Sequence, residues 1–280
     1  MVDWINDMRD PDEIWKKMKE QQAANNVDAY YLLARRAGDL IDSYVSHYGL
    51  CTEVAAAYGA QARDPNACRP GRQVAAIRAH HYYQLASGIA ANSTKSVRVV
   101  PEGWDAQGGG LLDPKSAELR VLQEAAGVLL QLDWVEDAWK WQWVIRCLTP
   151  VTQAMKTYDV AHLHLGRAYF KLDDLDRAES VWRQAQGLPN ASQELHGQLV
   201  SLRLRRAQKA AEAKNWQEVV RILDGQWDLT PKELVLLGDG FQQLGYPDRA
   251  RGTWEAALRG DPNETAAQER LGRQQQRQAA

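Results

Sequence analysis

Residues 237–262 read LGDGFQQLGYPDRARGTWEAALRGDP, and six positions in this stretch determine the fold of the C-terminal half. Gly238 is followed by Phe241, Ala250, Trp254, Ala257 and Pro262 at offsets of 3, 12, 16, 19 and 24 residues. Small residues let two antiparallel helices approach closely, and large aromatic side chains fill the space beside them. Proline then ends the second helix. The stretch therefore predicts a tightly packed helical hairpin.

The same spacing recurs upstream. Gly166 is followed at the first four offsets by matching residues, with a proline one place early: Tyr169, Ala178, Trp182, Ala185 and Pro189. Ala126 begins a weaker copy, in which Gln142 stands where the second-helix aromatic is expected: Leu129, Ala138, Ile145 and Pro150. Residues 215–223 match the start of another second helix. Because a helical repeat of this kind takes about 34 residues, one imperfect repeat fits between the two strong copies.

This pattern resembles the signature of the tetratricopeptide repeat family over about residues 116–264. The resemblance implies an all-α fold, an α-α superhelix of helical hairpins, whose concave groove is lined by the first helix of each repeat and binds a peptide or partner helix. Residues 265–280 are expected to form a polar capping helix. The groove positions of the family correspond here to Gln123, Leu163, Arg167, Phe170, Lys171, Val235, Asp239 and Gln242.

Residues 1–91 are expected to form an N-terminal helical unit. Helical periodicity and turn residues predict helices over about 11–25, 27–48, 52–62 and 72–91, with Gly49 ending the second. From 92 to 114 the helical period is lost, and Pro101 and Gly108–Gly110 interrupt the chain. A long loop or linker at 92–114 is therefore expected to precede the repeat array at 115–280.

Composition and motifs argue against several classes of function. The chain has 34 Lys and Arg against 36 Asp and Glu, so it lacks the basic excess of a nucleic-acid-binding protein. Residues 52–59 resemble the start of a helix-turn-helix motif, but the connection to the next helix is too long. No stretch approaches the ~18 consecutive apolar residues of a membrane span. Residues 1–13 are acidic and unlike a secretory signal, so a cytoplasmic location is expected, with an exported mature form as the alternative.

The cysteines and histidines do not indicate a reactive or metal site. Cys51, Cys68 and Cys147 form an odd set that favours a reduced protein, although a bridge between Cys51 and Cys68 stays open. The pairs His80–His81 and His162–His164 lack the i, i+4 spacing that shared ligation on one helix favours. Nucleophile-elbow, phosphate-loop and zinc-protease motifs are absent from the sequence. We therefore expect no metal, no cofactor and no catalytic residue.

Four tryptophans crowd the first repeat: Trp134, Trp139, Trp141 and Trp143. On a helix Trp139 and Trp143 share one face, and Trp141 lies on another. Burial against neighbouring helices is one interpretation. The other is an aromatic anchor for a partner, formed by Trp139 and Trp143, because tryptophan is enriched at interface hot spots.

Together these observations predict a non-catalytic scaffold or adaptor that binds a protein or peptide in the repeat groove. The alternative is a helical enzyme or regulator whose active or sensing site lies in the N-terminal unit, with the repeats used for recruitment. A deep polar pocket around His80, His81 and residues 92–114 would favour the alternative. A featureless packed bundle would favour the scaffold.

Overall fold

The computed structural model describes residue 5 and residues 8–40, 47–101, 110–132, 138–188 and 193–279. Within these ranges the chain forms thirteen helices and one short β-hairpin, which confirms the predicted all-α fold of helical hairpins. The chain divides into two compact units, Met1–Leu172 and Asp173–Ala280.

The first unit contains seven of these helices. They are α1 (Pro11–Ala23), α2 (Val27–Leu40), α3 (Tyr48–Arg63), α4 (Arg69–Asn92), α5 (Pro114–Leu130), α6 (Ala138–Ala154) and α7 (Asp159–Lys171). Between α4 and α5, strands β1 (Val97–Arg98) and β2 (Leu111–Leu112) pair antiparallel with Val97 opposite Leu112. Each helix packs against the next along the chain, and β1 contacts α3.

Trp15 organises the start of the first unit. Its side chain is buried with Ile14 and Met18 on α1, and its ring packs on the backbone of Gly49. A Cβ at position 49 would overlap this ring, so Gly49 is required for the close approach of α3. The prediction that Gly49 ends a helix over 27–48 is therefore wrong. The structure describes the second helix as far as Leu40, residues 41–46 lie outside the described residues, and Gly49 belongs to the first turn of α3, whose N-cap is His47.

The segment 92–114, predicted as a linker, joins two helices of the first unit that pack against each other. Helix α4 runs to Asn92, and α5 lies alongside it from Pro114. The short strands occupy part of the segment, and residues 102–109 fall outside the described ranges. Because α5, α6 and α7 belong to the first compact unit, the division between units comes at Leu172 and Asp173.

Helix α6 differs from the predicted repeat at its proline. Pro150 was expected to end the helix, but it lies inside α6, which continues to Ala154. The Thr149 hydroxyl donates to the Ile145 carbonyl at 2.7 Å, and the Thr152 hydroxyl donates to the Leu148 carbonyl at 3.1 Å. Both accepting carbonyls precede the proline, and such bonds from a threonine hydroxyl to a carbonyl one turn earlier are compatible with a continuing helix.

The second unit contains the remaining six helices, α8 (Leu175–Gln186), α9 (Gln193–Glu212), α10 (Trp216–Leu223), α11 (Pro231–Gln243), α12 (Pro247–Gly260) and α13 (Thr265–Ala279). The residues predicted to form the middle repeat form the paired helices α9 and α10, and the predicted C-terminal helix is observed as α13. The repeat beginning at Gly166 is divided, with α7 in the first unit and α8 in the second. Its Pro189 lies outside the described residues.

The α11–α12 hairpin has the packing that the quoted stretch predicts. A Cβ at Gly238 would overlap the indole of Trp254, so the missing side chain makes room for the ring. The indole Nε1 donates to the Val235 carbonyl at 3.3 Å, which satisfies the one polar atom of a buried side chain. Ala250 and Ala257 are completely buried on the same helix. The second unit therefore contains a closely packed helical hairpin of the kind that the quoted stretch predicts.

A buried charge cluster joins α9 to the start of α11. Glu233 is completely buried, and its carboxylate accepts hydrogen bonds from Arg203 Nε at 2.7 Å and from the Thr230 backbone N–H at 2.9 Å. Arg203 also donates to Asp228 at 2.7 Å, and the hydrogen bond to Glu233 raises the arginine's pKa. Thr230 and Glu233 together form a capping box that starts α11.

We expect Gly238→Ala to lower the free energy of unfolding by about 1–3 kcal/mol, because the new Cβ must displace Trp254. Gly252→Ala is the matched control, since it makes the same change at an exposed site of α12 with no atom within 4 Å of the added Cβ. This control should gain up to about 1 kcal/mol from helix propensity. Urea unfolding followed by far-UV circular dichroism measures both, and equal stability of the two variants would contradict the packing.

Candidate functional site

The eight predicted groove residues fall in both units. In the first unit are Gln123 on α5 and Leu163, Arg167, Phe170 and Lys171 on α7, and in the second are Val235, Asp239 and Gln242 on α11. Leu163 and Val235 are each only 8% exposed, so their side chains mainly serve packing. Arg167 and Lys171 are exposed, and Phe170 is half-buried. The exposed members of the first-unit set, Arg167 and Lys171, therefore both lie on α7, and Gln123 is half-buried on α5.

A cleft of about 550 Å³ opens beside the C-terminal half of α11. The predicted residues Asp239 and Gln242 line it, with Trp216 from the start of α10 and the buried Trp254 beneath. Helix α13 contributes a polar wall of Arg270, Arg273 and Gln274. We call this site the α11 cleft. Sequence reasoning missed Trp216 and the three residues of α13, because nothing in their local pattern distinguishes them from ordinary surface positions.

Charge in the α11 cleft is largely paired. Asp239 accepts hydrogen bonds from Arg270 Nε at 2.9 Å and from a second guanidinium nitrogen at 3.2 Å, and this contact raises the pKa of Arg270. Arg273 donates to Glu269 at 3.3 Å. The side-chain amide of Gln242, in contrast, has no hydrogen-bonding partner within the described ranges. Its amide can therefore both donate to and accept from a bound group.

The proposed aromatic anchor lies on α6 in the first unit. Trp139 and Trp143 are half-buried, Trp141 is buried, and Trp134 falls outside the described residues. The Trp143 ring centroid lies 3.7 Å from that of His80, and the Arg146 guanidinium lies 4.7 Å from the Trp143 centroid. Trp143 is thus partly covered by its own chain, and its role toward a partner stays a prediction.

A cleft of about 700 Å³ lies beside the end of α4 and the segment that follows it. Asp12 and His47 form a hydrogen-bonded pair here, with Nε2 3.2 Å from the carboxylate. The other ring nitrogen, Nδ1, accepts the Leu50 N–H at 3.0 Å and so caps α3. Because Nδ1 is an acceptor, the proton resides on Nε2. Both nitrogens of His47 are therefore used in holding the start of α3.

A second cleft in the first unit, of about 310 Å³, is lined by His80, Trp143 and Arg146. The two ring nitrogens of His80 are buried, and neither has a hydrogen-bonding partner in the part of the chain that the structure describes. Burial, the neighbouring His81 and Arg146 lower the pKa of His80 to about 4. The imidazole is therefore neutral at physiological pH.

Comparison with known proteins adds distant structural likenesses. PilF of Pseudomonas aeruginosa is 13% identical with a TM-score of 0.36, covering 92% of this chain and 95% of that one. A tetratricopeptide repeat protein of Parabacteroides merdae is 13% identical with a TM-score of 0.41, covering 94% and 97%. No protein-family model and no curated protein matches the sequence. The fold assignment rests on the helices and packing of the chain itself.

The three cysteines are free thiols, so the bridge left open between Cys51 and Cys68 does not form. Burial raises the pKa of Cys51 and of Cys147 to about 12, which keeps both thiols protonated. Among the described residues, no three His, Cys, Asp or Glu side chains are grouped so that they could hold a metal ion. No helix in those ranges is long and apolar enough to cross a membrane.

The lowered pKa of His80 predicts how stability depends on pH. The unfolded state takes up the histidine proton near pH 6.5 and the folded state near pH 4, so stability is full above about pH 6.5 and falls between these values. We expect a loss of about 2 kcal/mol between pH 7 and pH 4.5 that His80→Gln removes. Urea unfolding of both proteins at the two pH values measures the difference. An unchanged pH dependence in the variant would contradict the buried, neutral state of His80.

Proposed function

We propose that the chain is a non-catalytic interaction scaffold that binds a polypeptide partner in the α11 cleft. The observation that supports this most is the combination of half-buried Trp216 with the unpaired amide of Gln242 in one concave site. Tryptophan supplies a large contact area, and a side-chain amide matches the donor and acceptor of a peptide group. The cleft therefore combines an apolar contact surface with a hydrogen-bonding amide, and a polypeptide can use both.

The paired charges of the cleft define the kind of partner. Asp239 and Arg270 neutralise each other, and Arg273 is engaged by Glu269. A strongly charged ligand would gain little here, because it must compete with an ion pair already formed. We infer that the partner is recognised mainly by apolar contact with Trp216 and by main-chain hydrogen bonds to Gln242.

Two polar groups of the first unit, His47 and Glu53, are engaged in holding the fold. Both nitrogens of His47 are used in the capping arrangement. The buried Glu53 accepts a hydrogen bond from the Tyr30 hydroxyl at 2.8 Å and pairs with Lys19 at 2.6 Å. A general base needs a free acceptor within reach of a substrate proton, and these two groups are already engaged. Both therefore support the fold.

A regulator with a sensing site in the N-terminal unit is the second candidate function. It is favoured by the clefts at His47 and at His80, which distinguish this unit from a featureless packed bundle. One of them lies beside residues 92–98, where the loss of helical period begins. The two functions are compatible, because sensing and scaffolding would use different parts of the chain.

Site-specific photo-cross-linking tests the α11 cleft. A photoreactive phenylalanine analogue in place of Gln242 should capture polypeptide partners from cell extract, whereas the same analogue in place of Arg251 on the exposed face of α12 should not. Adding Trp216→Ala to the Gln242 variant should reduce the captured amount about tenfold, since an aromatic hot spot is lost. Equal capture from the two positions would contradict the proposal.

The exposed end of α7 is tested separately in the first unit. If partners also contact this face, the double variant Arg167→Glu, Phe170→Ala should recover less of them in an affinity pull-down than the wild-type chain does. The Arg167 change reverses an exposed charge, and the Phe170 change removes a half-buried aromatic side chain. Equal recovery would exclude α7 from the binding surface while leaving the cross-linking result at Gln242 unaffected.

A further inference from the structure

The cleft at His80, about 310 Å³ in volume, lies where α4, α5 and α6 come together. We call it the His80 cleft. Its apolar wall is formed by Leu122, Ala125 and the ring of Trp143, and its polar wall includes His80, Gln84 and Arg146. This volume is at the lower end of the range for small-molecule sites, and the mixture of an apolar wall with a few polar groups is typical of them.

His80 is the first observation that points to a ligand. Its neutral imidazole carries one donor and one acceptor, and neither has a partner among the described residues. Buried polar groups in folded proteins are nearly always hydrogen-bonded, and an unpaired one costs stability. A ligand that forms a hydrogen bond with the His80 imidazole would restore the stability that is lost while the imidazole is unpaired.

Arg146 indicates that the ligand is negatively charged. Its side chain is exposed, its guanidinium lies 4.7 Å from the Trp143 ring centroid, and no carboxylate pairs with it in the ranges that the structure describes. The described residues that line the cleft include no Asp or Glu. An arginine held against an aromatic ring, in a cleft without acidic groups, attracts an anion and repels a cation.

We propose that the His80 cleft binds a small organic acid, with its carboxylate at Arg146 and its apolar body against Trp143. The planar guanidinium can donate two parallel hydrogen bonds to a carboxylate. The Leu122 and Ala125 side chains give the rest of the molecule an apolar surface. This site lies within the first unit and does not depend on the scaffold function, which is tested at the α11 cleft.

Three probes that share a phenyl ring and differ in charge test the proposal on the full chain. Phenylacetate is the anion, phenylacetamide is its neutral counterpart, and phenethylamine is the cation. The indole N–H resonance of Trp143, assigned with Trp143→Phe, reports binding in NMR titrations. Phenylacetate should bind with a dissociation constant of about 1 mM, as expected for a ligand of this size. The amide should bind about tenfold more weakly, and the amine should not bind.

A pair of arginine variants locates the carboxylate. Arg146→Gln should weaken phenylacetate binding about tenfold and leave phenylacetamide unchanged, because only a charge-assisted hydrogen bond is lost. Arg120→Gln is the matched control, since Arg120 is an exposed arginine of α5 that pairs with Glu124 and does not line the cleft. It should change neither affinity. Both replaced side chains are exposed, so the variants should fold, and far-UV circular dichroism verifies this.

Three results would overturn the proposal. The first is equal affinity for phenylacetate and phenylacetamide, which would remove the role of charge. The second is the absence of any saturable shift at about 10 mM phenylacetate, well above the dissociation constant expected for a ligand of this size. The third is the same loss of affinity in the Arg120 and Arg146 variants. None of these results bears on cross-linking at Gln242, so the two proposals fail independently.

Discussion

The close approach of α11 and α12 at Gly238 is the constraint from which the rest of the second unit follows. With no side chain at this position, the Trp254 indole lies directly on the backbone of α11 and donates to the Val235 carbonyl. The hairpin then fixes where α13 lies, since Gln274 donates to the Pro247 carbonyl at 3.0 Å and Arg270 pairs with Asp239. The α11 cleft is therefore a consequence of this helix crossing.

The buried charges of the second unit add specificity to this packing. Glu233 loses all contact with water, and such a group is tolerated only when its hydrogen-bonding capacity is satisfied. Arg203 and Thr230 supply the necessary donors, and Asp228 engages the other side of the guanidinium. Because these groups come from α9 and from the start of α11, a shift of either helix would leave a charge unpaired. We infer that the cluster fixes the relative position of the two helices.

The features predictable from the sequence are those encoded over short separations. The signature positions of the hairpin lie within 25 residues, from Gly238 to Pro262. Small and aromatic residues at this spacing indicate two closely packed antiparallel helices. The errors concern residues whose role depends on distant partners. Glycine commonly ends helices, but Gly49 lies inside α3 and packs against the ring of Trp15. Proline also commonly ends helices, but Pro150 lies inside α6.

The candidate sites were less predictable for the same reason. Asp239 and Gln242 could be placed by their position in the repeat, whereas the partner of Asp239 is Arg270, 31 residues away. His80 and Trp143 lie further apart in sequence and share no pattern, yet their rings are in contact. Such pairings depend on how helices from separate hairpins pack, which a period within one helix does not encode.

The absence of a side chain has opposite consequences at Gly238 and at Gly88. In the second unit, the space left by Gly238 is filled by Trp254, and the result is a solid core. In the first unit, Gly88 and Ala125 line the His80 cleft, and no atom lies within 4 Å of a Cβ added at Gly88. The nearby tryptophan, Trp143, packs against His80 instead of filling this space. A gap that is lined by an unpaired imidazole and an unpaired arginine has the composition of a binding site rather than of a packing defect.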